Sequence, residues 1–131
     1  QDELKVVNDQ IGAPTGAELI ADVTALCLYR IAQNISTAHN LSGTYHLTPT
    51  GETSWHGFAQ FIIAKATGLG VRFRASSENV LPIRTSENPL PAKRPSNSLL
   101  DAQKLRNTFN VYMPPWQTHV ERLIKELYSQ K

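Results

Sequence analysis

Asn8-Asp9-Gln10-Ile11-Gly12-Ala13-Pro14-Thr15 closes one apolar run, turns sharply and opens the longest helical pattern in the chain. Leu4, Val6 and Val7 before it have the composition of a strand end, and Gly12 with Pro14 then forbid strand and helix for several residues. Thr15 followed three residues later by Glu18 matches a capping box, in which the threonine oxygen accepts from a first-turn amide and the glutamate reaches back. Strand, loop and helix in this order form the corner at which α/β proteins place ligand contacts. From spacing alone, a structural turn and cap outweighs ligand binding here.

Outward from that corner, Ile20, Val23, Cys27 and Ile31 recur at helical intervals between Ala17 and about Asn34, with Leu19 and Leu26 widening the stripe. Ser36 to Ser42 reads as a polar loop, and Thr44-Tyr45-His46-Leu47 as a short strand ended by Pro49 and Gly51. A second helix, capped by Thr53 or Ser54, is predicted to about Thr67, with Trp55, Phe58, Ala59, Ile62, Ile63 and Ala66 on one face and Gly68 and Gly70 as its stop. Val71 to Arg74 reads as a short half-exposed strand and Val80 to Ile83 as another, demoted to an edge or a bend by Pro82. Arg84 to Ser98, with Pro89, Pro91 and Pro95, is too polar for regular structure and long enough to suggest a purpose. Asp101 is expected to cap a third helix through Leu105 and Phe109. Pro114-Pro115 sets up a last one with Val120, Leu123, Ile124 and Leu127 facing inward.

A chain of 131 residues builds one core, so residues 1–131 are expected to form a single region. Its 40% hydrophobic and 18% charged content sets disorder aside. Apolar runs break well short of the roughly 20 residues that span a bilayer. No basic-then-apolar leader precedes the first strand, so a cytoplasmic location without a membrane partner is expected. A formal charge of +2, with basic residues scattered apart from Arg72 with Arg74 and Lys93 with Arg94, is too small to argue for nucleic acid. The single cysteine, Cys27, excludes an internal disulfide and reads as a small buried hydrophobe.

His39, His46, His56 and His119 show no metal-ligand spacing, so no metal is expected, and His46 reads as a core or rim histidine. No Gly-x-Ser-x-Gly elbow exists, and Gly68-x-Gly70 follows a helix without a third glycine, which is not a dinucleotide-binding turn. Two loops remain. In the first, Asn8, Asp9, Gln10 and Thr15 supply donors and acceptors while Gly12 admits close backbone approach, a set suited to sugar hydroxyls or a base edge. In the second, Arg94 offers a planar fork of donors suited to a diphosphate, restrained by Pro95; a surface arginine pairing with a helix end is the equal alternative.

Val6 through Thr15, then Gly43-Thr44-Tyr45-His46-Leu47, Thr53-Ser54-Trp55, Pro91-Ala92-Lys93-Arg94-Pro95-Ser96-Asn97-Ser98-Leu99-Leu100-Asp101 and Pro115-Trp116 cover essentially the whole chain. Together they resemble the dTDP-4-dehydrorhamnose reductases of the extended short-chain dehydrogenase/reductase superfamily. The resemblance implies α/β parentage, an extended Rossmann-type reductase, with this portion appearing as α+β: about four helices and a few short strands, one pairing parallel. It implies a parent oxidoreductase that uses NADPH or NADH to reduce dTDP-6-deoxy-L-lyxo-4-hexulose to dTDP-L-rhamnose for surface polysaccharide. It further implies a dTDP-sugar partner held by Asp9, Gln10, Gly12, Pro14, Thr15, Arg94 and Ser98.

The family's glycine-rich turn and Tyr-x-x-x-Lys pair lie upstream of the matched region. Here Gln33, Pro49 and Trp116 stand four residues after Tyr29, Tyr45 and Tyr112. The chain also enters a strand almost directly from Gln1, so it is expected to be the C-terminal, substrate-binding portion of the reductase without the cofactor-binding domain. As such it would be inactive alone and would contain no catalytic, cofactor-binding or metal-binding residue. Its first strand, lacking sheet partners, would present an edge that promotes a homo-oligomer. A non-catalytic regulatory subunit of the methionine adenosyltransferase type and a stand-alone module for phosphorylated ligands are the alternatives, the intact Asp9-Gln10-x-Gly12-Ala13-Pro14-Thr15 loop favouring the reductase.

Overall fold

The structure, a computed structural model, describes residues 2–33, 35–88 and 91–128. In chain order its elements are β1 (Leu4–Val7), β2 (Ile11–Gly12), α1 (Ala17–Gln33), β3 (Thr53–Ser54), α2 (Trp55–Gly68), β4 (Val80–Ile83), α3 (Gln103–Phe109) and α4 (Trp116–Tyr128). Short 3-10 turns add Ile35–Leu41, Ser77–Asn79 and Thr85–Glu87. β1 and β4 pair in parallel, Leu4 opposite Val80 and Val7 opposite Ile83. Parallel neighbours need a long crossover, and here α1 and α2 both lie within it. β2 and β3 pair antiparallel, with Ile11 opposite Ser54. The result is α+β, four helices with a few short strands. No described helix is long and apolar enough to cross a membrane.

Leu19, Val23, Ala102, Leu105, Phe109, Val111 and Met113 form the core, against which Cys27, Ile31, Leu41, Tyr45 and Leu47 pack. The inward row of α1 is therefore Leu19, Val23, Cys27 and Ile31, each four residues from the last. Ile20 and Leu26 stay exposed. Two apolar rows one residue apart fit the sequence equally well, and packing against α3 selects one. Burial pushes the Cys27 thiol above its ordinary value. On α4, Trp116 and Ile124 are buried whereas Leu123 and Leu127 are exposed. The helix presents a narrower face to α2 than its periodicity suggests.

Local signals set the helix ends. Ser54 Oγ accepts from Gly57 N at 3.0 Å, capping α2, and Gly70 takes φ +87 just beyond that helix, a conformation that costs glycine little. Asp101 Oδ1 accepts from Gln103 N at 2.7 Å at the start of α3. The Thr15 capping box is out of register by one: Ala17 is the first residue of α1, so Gly16 holds the cap position. The Thr15 hydroxyl instead donates to Ala13 O at 3.1 Å.

Three expectations are corrected. Ile35–Leu41 is a 3-10 helix, not a loop. Thr44 to Leu47 joins no ladder among the described residues: Tyr45 packs edge-on against Phe109 with centroids 5.2 Å apart, its hydroxyl donates to Leu41 O at 2.8 Å, and Lys104 Nζ donates to Thr44 O at 2.9 Å. His46, expected at the core or the rim, is exposed and so lies at the rim. Val71 to Arg74 is no strand either, because Val71 N bonds back to Ala66 O at 3.0 Å and folds the segment onto the end of α2.

Met113 is 1% exposed and Leu127 is 61% exposed. Met113→Ala is expected to lower unfolding free energy by about 2–4 kcal/mol, and Leu127→Ala by less than about 0.5 kcal/mol, both read from urea denaturation.

Candidate functional site

Ile11 joins three stretches that are remote in sequence. On one side it pairs with Ser54 of β3. On the other it forms a parallel bridge with Asn97, its N–H donating to Ser96 O at 2.8 Å and its carbonyl accepting from Ser98 N at 2.9 Å. The Ser98 hydroxyl donates to the same carbonyl at 3.1 Å. A Cβ on Gly12 would stand 2.8 Å from Ser98 Oγ, so glycine is needed here to seat that serine. The proline-rich loop is thereby held as an extra short strand against β2.

A second tie lies one residue earlier. Asp9 accepts from Thr85 N at 3.0 and 3.1 Å and from the Thr85 hydroxyl at 2.6 Å, and Gln10 Nε2 donates to Thr85 Oγ1 at 3.1 Å. The threonine hydroxyl is the main reason the Asp9 carboxyl sits below its ordinary value of 3.8. Asn8 continues the β1–β4 ladder through its N–H to Ile83 O at 3.0 Å.

Between these ties opens a cleft of about 500 Å³. Gln10, Gly12, Pro14, Thr15, Arg94 and Ser98 all line it, together with Ile11, Ala13, Thr53, Ser54, Trp55, Phe58 and Pro95. Asp9 does not line it, since its carboxylate is turned to Thr85. The lower wall, Gln10 to Pro14 with Thr53, Ser54 and Phe58, is half-buried; Thr15, Trp55, Arg94, Pro95 and Ser98 form an exposed rim. Thr53, Ser54, Trp55 and Phe58 were not among the expected site residues. Helical periodicity assigns Trp55 and Phe58 to the core, and only the 55% exposure of Trp55 reveals its other surface.

The lower wall offers hydroxyls and an amide to a polar ligand, and the rim offers a guanidinium and an indole face. A larger hollow of about 740 Å³ runs along α4, and three of its four charged side chains are engaged in ion pairs, Glu121 with Lys65 at 2.7 Å and Arg122 with Glu126 at 2.9 Å. At Gly16, where α1 begins, an added Cβ would meet His119 Cβ at 2.9 Å and a Glu18 carboxylate oxygen at 3.3 Å, so the start of this helix is packed closely against α4. Among the described residues no group of three or more His, Cys, Asp or Glu could hold a metal ion.

A family model described as the RmlD substrate binding domain matches residues 1–129. The chain is 40% identical over 129 residues to a dTDP-4-dehydrorhamnose reductase of Shigella flexneri, covering 98% of this chain and 41% of that protein. It is 39% identical over 130 residues to one of Burkholderia thailandensis, covering 99% and 44%. The crystal structure of a dTDP-4-dehydrorhamnose reductase from Bacillus anthracis in complex with NADP superposes with a TM-score of 0.70 at 36% identity, covering 96% of this chain and 39% of that one. One from Clostridium acetobutylicum gives 0.71 at 32% identity, covering 97% and 39%. The chain thus spans about two-fifths of the length of the relatives it matches.

Two outcomes test the ties. Because the folded pKa of Asp9 is depressed, the stability it adds is present above pH about 3.8 and is lost as pH falls through the lower, folded value. The gap in melting temperature between wild type and Asp9→Asn should therefore be constant near neutrality and close in acid; a gap that persists to pH 2 contradicts a role for the charge. Gly12→Ala should displace the Ser98 hydroxyl and cost about 1 kcal/mol, one hydrogen bond, measured by urea denaturation.

Proposed function

The chain belongs to the RmlD substrate binding domain family, and from that premise we propose that its cleft holds a dTDP-linked 4-keto-6-deoxy sugar for reduction at C4. The observation that carries this is the convergence of Arg94 with Gln10, Thr53 and Ser54 around one cleft. Arg94 supplies a rigid fork of donors that matches two phosphate oxygens at once. Its side chain is at the exposed rim, where a diphosphate keeps part of its hydration. Deeper in, the Gln10 amide retains an acceptor oxygen and one N–H beyond its bond to Thr85. The Ser54 hydroxyl, which accepts from Gly57 N, still has a proton to donate. Those groups suit sugar hydroxyls.

The relatives are named as reductases, and one of them is solved with NADP. For the whole protein we propose the same reaction, a dTDP-hexulose reduced to dTDP-L-rhamnose with a nicotinamide cofactor. Residues 1–131 would be a single substrate-binding unit working beside a separate cofactor-binding region. This chain's own contribution is to bind and orient the sugar nucleotide. No Tyr-x-x-x-Lys pair occurs in its sequence, which supports assigning the proton-donating chemistry to another region of the protein.

Titrating the chain with dTDP-rhamnose should shift amide resonances in residues 10–15 and 94–98. Arg94→Ala should weaken binding about tenfold or more, as expected for loss of charge-assisted hydrogen bonds. The chain alone should not oxidise NADPH in the presence of the keto sugar. Absence of shifts in both segments, or an unchanged affinity in Arg94→Ala, would sink the assignment.

A further inference from the structure

We propose that Trp55 is the platform on which the nucleobase of the bound sugar nucleotide stacks, an inference that rests on the sugar-nucleotide reading of the cleft. Trp55 is the first residue of α2, immediately after the Ser54 cap, and its spacing with Phe58 and Ile62 is that of a core face. Yet it is 55% exposed, at the rim of the cleft. An indole placed there leaves a large apolar surface in water, at a free-energy cost that grows with the area left uncovered.

The ring is held in place. Trp55 meets Phe58 edge to face at 6.3 Å and 66°. Phe58 meets Trp116 the same way at 6.0 Å and 71°, and Trp116 meets Phe61 at 4.9 Å. Trp116 is 5% exposed and its backbone N–H donates to Thr50 O at 3.1 Å. Trp55 is thus the outermost member of a series of rings rooted in the core. Its ordering entropy is largely spent before any ligand arrives, which favours a flat partner.

The division of chemistry within the cleft decides which ring of the ligand takes this place. The half-buried wall carries Gln10, Thr53 and Ser54, donors and acceptors for a hydroxylated sugar. The rim beside Arg94 carries the exposed indole of Trp55. A base has a π-face and does not react, so it can be held by stacking alone. Arg94 between the two regions would take the diphosphate. Recognition at the rim then depends on the presence of a base: dTDP should bind better than inorganic pyrophosphate by about tenfold to hundredfold, the range typical of one stacked base.

The test uses tryptophan fluorescence and calorimetry on the intact chain, in which Trp55 and Trp116 are the two tryptophans. With dTDP, emission should be quenched and the iodide-accessible fraction lost, because the exposed Trp55 is covered; inorganic pyrophosphate should do neither. Trp55→Ala should weaken dTDP about tenfold or more while leaving pyrophosphate affinity unchanged, and Trp55→Phe should restore much of the loss. Binding of dTDP to wild type without quenching, or equal losses for dTDP and pyrophosphate, would overturn the stacking while leaving the pocket assignment intact. So would a Trp55→Ala effect seen with dTDP-rhamnose but not with dTDP, which would place the sugar on the indole. If wild type binds no dTDP at all, both readings fall.

Discussion

Ile11 commits its backbone on one side to Ser96 and Ser98 while the opposite side of its strand faces Ser54. Ile11 thereby meets all three segments that build the cleft. Those segments come from the β1–α1 corner, from the start of α2 and from the proline-rich loop, and they are remote from one another in sequence. An extended residue with two hydrogen-bonding edges can align two neighbours at once, and a pocket between them inherits that alignment. Gly12 serves the same junction, since its missing side chain is the space in which the Ser98 hydroxyl reaches the Ile11 carbonyl.

Polar residues near the cleft divide into those that hold the architecture and those left free for a ligand. Asp9 carries the only carboxylate in the corner loop, and three bonds to Thr85 consume it. This leaves the cleft without a fixed negative charge from that loop, an arrangement compatible with an anionic ligand beside Arg94. Gln10 is shared, one N–H on Thr85 and the rest of its amide at the cleft wall.

Much of this was legible because its causes are local. The Ser54 cap, the Gly70 stop, Asp101 at the start of α3 and the edge character of the Pro82 strand each follow from neighbouring residues, and the two loops marked by the motifs around Gln10 and Arg94 line one cleft. The misreadings share a different cause. Thr44 to Leu47 has the composition of a strand, but a ladder needs a partner, and Tyr45 found Phe109 instead. Leu19 and Ile20 offer α1 two apolar rows, and only α3 decides between them. Asp9 looks like a ligand contact until Thr85 is known to face it, and Trp55 looks like core until the cleft is seen beside it. Each depends on contacts far away in sequence, which periodicity and propensity do not encode.

The parallel pairing of β1 with β4 bears on how this molecule comes into being. Asp9 and Thr85, just beyond the two strand ends, are 76 residues apart in sequence, so the loop between them must be closed before either strand gains its neighbour. Helices α1 and α2 can form early from their own contacts, whereas the pairing that seats Ile11 belongs to the slow, non-local part of the folding reaction. On a ribosome the cleft can be completed only after the segment containing Ser98 has emerged, and a chain released before that point would lack both the segment that Ile11 aligns and the α3 residues against which α1 packs.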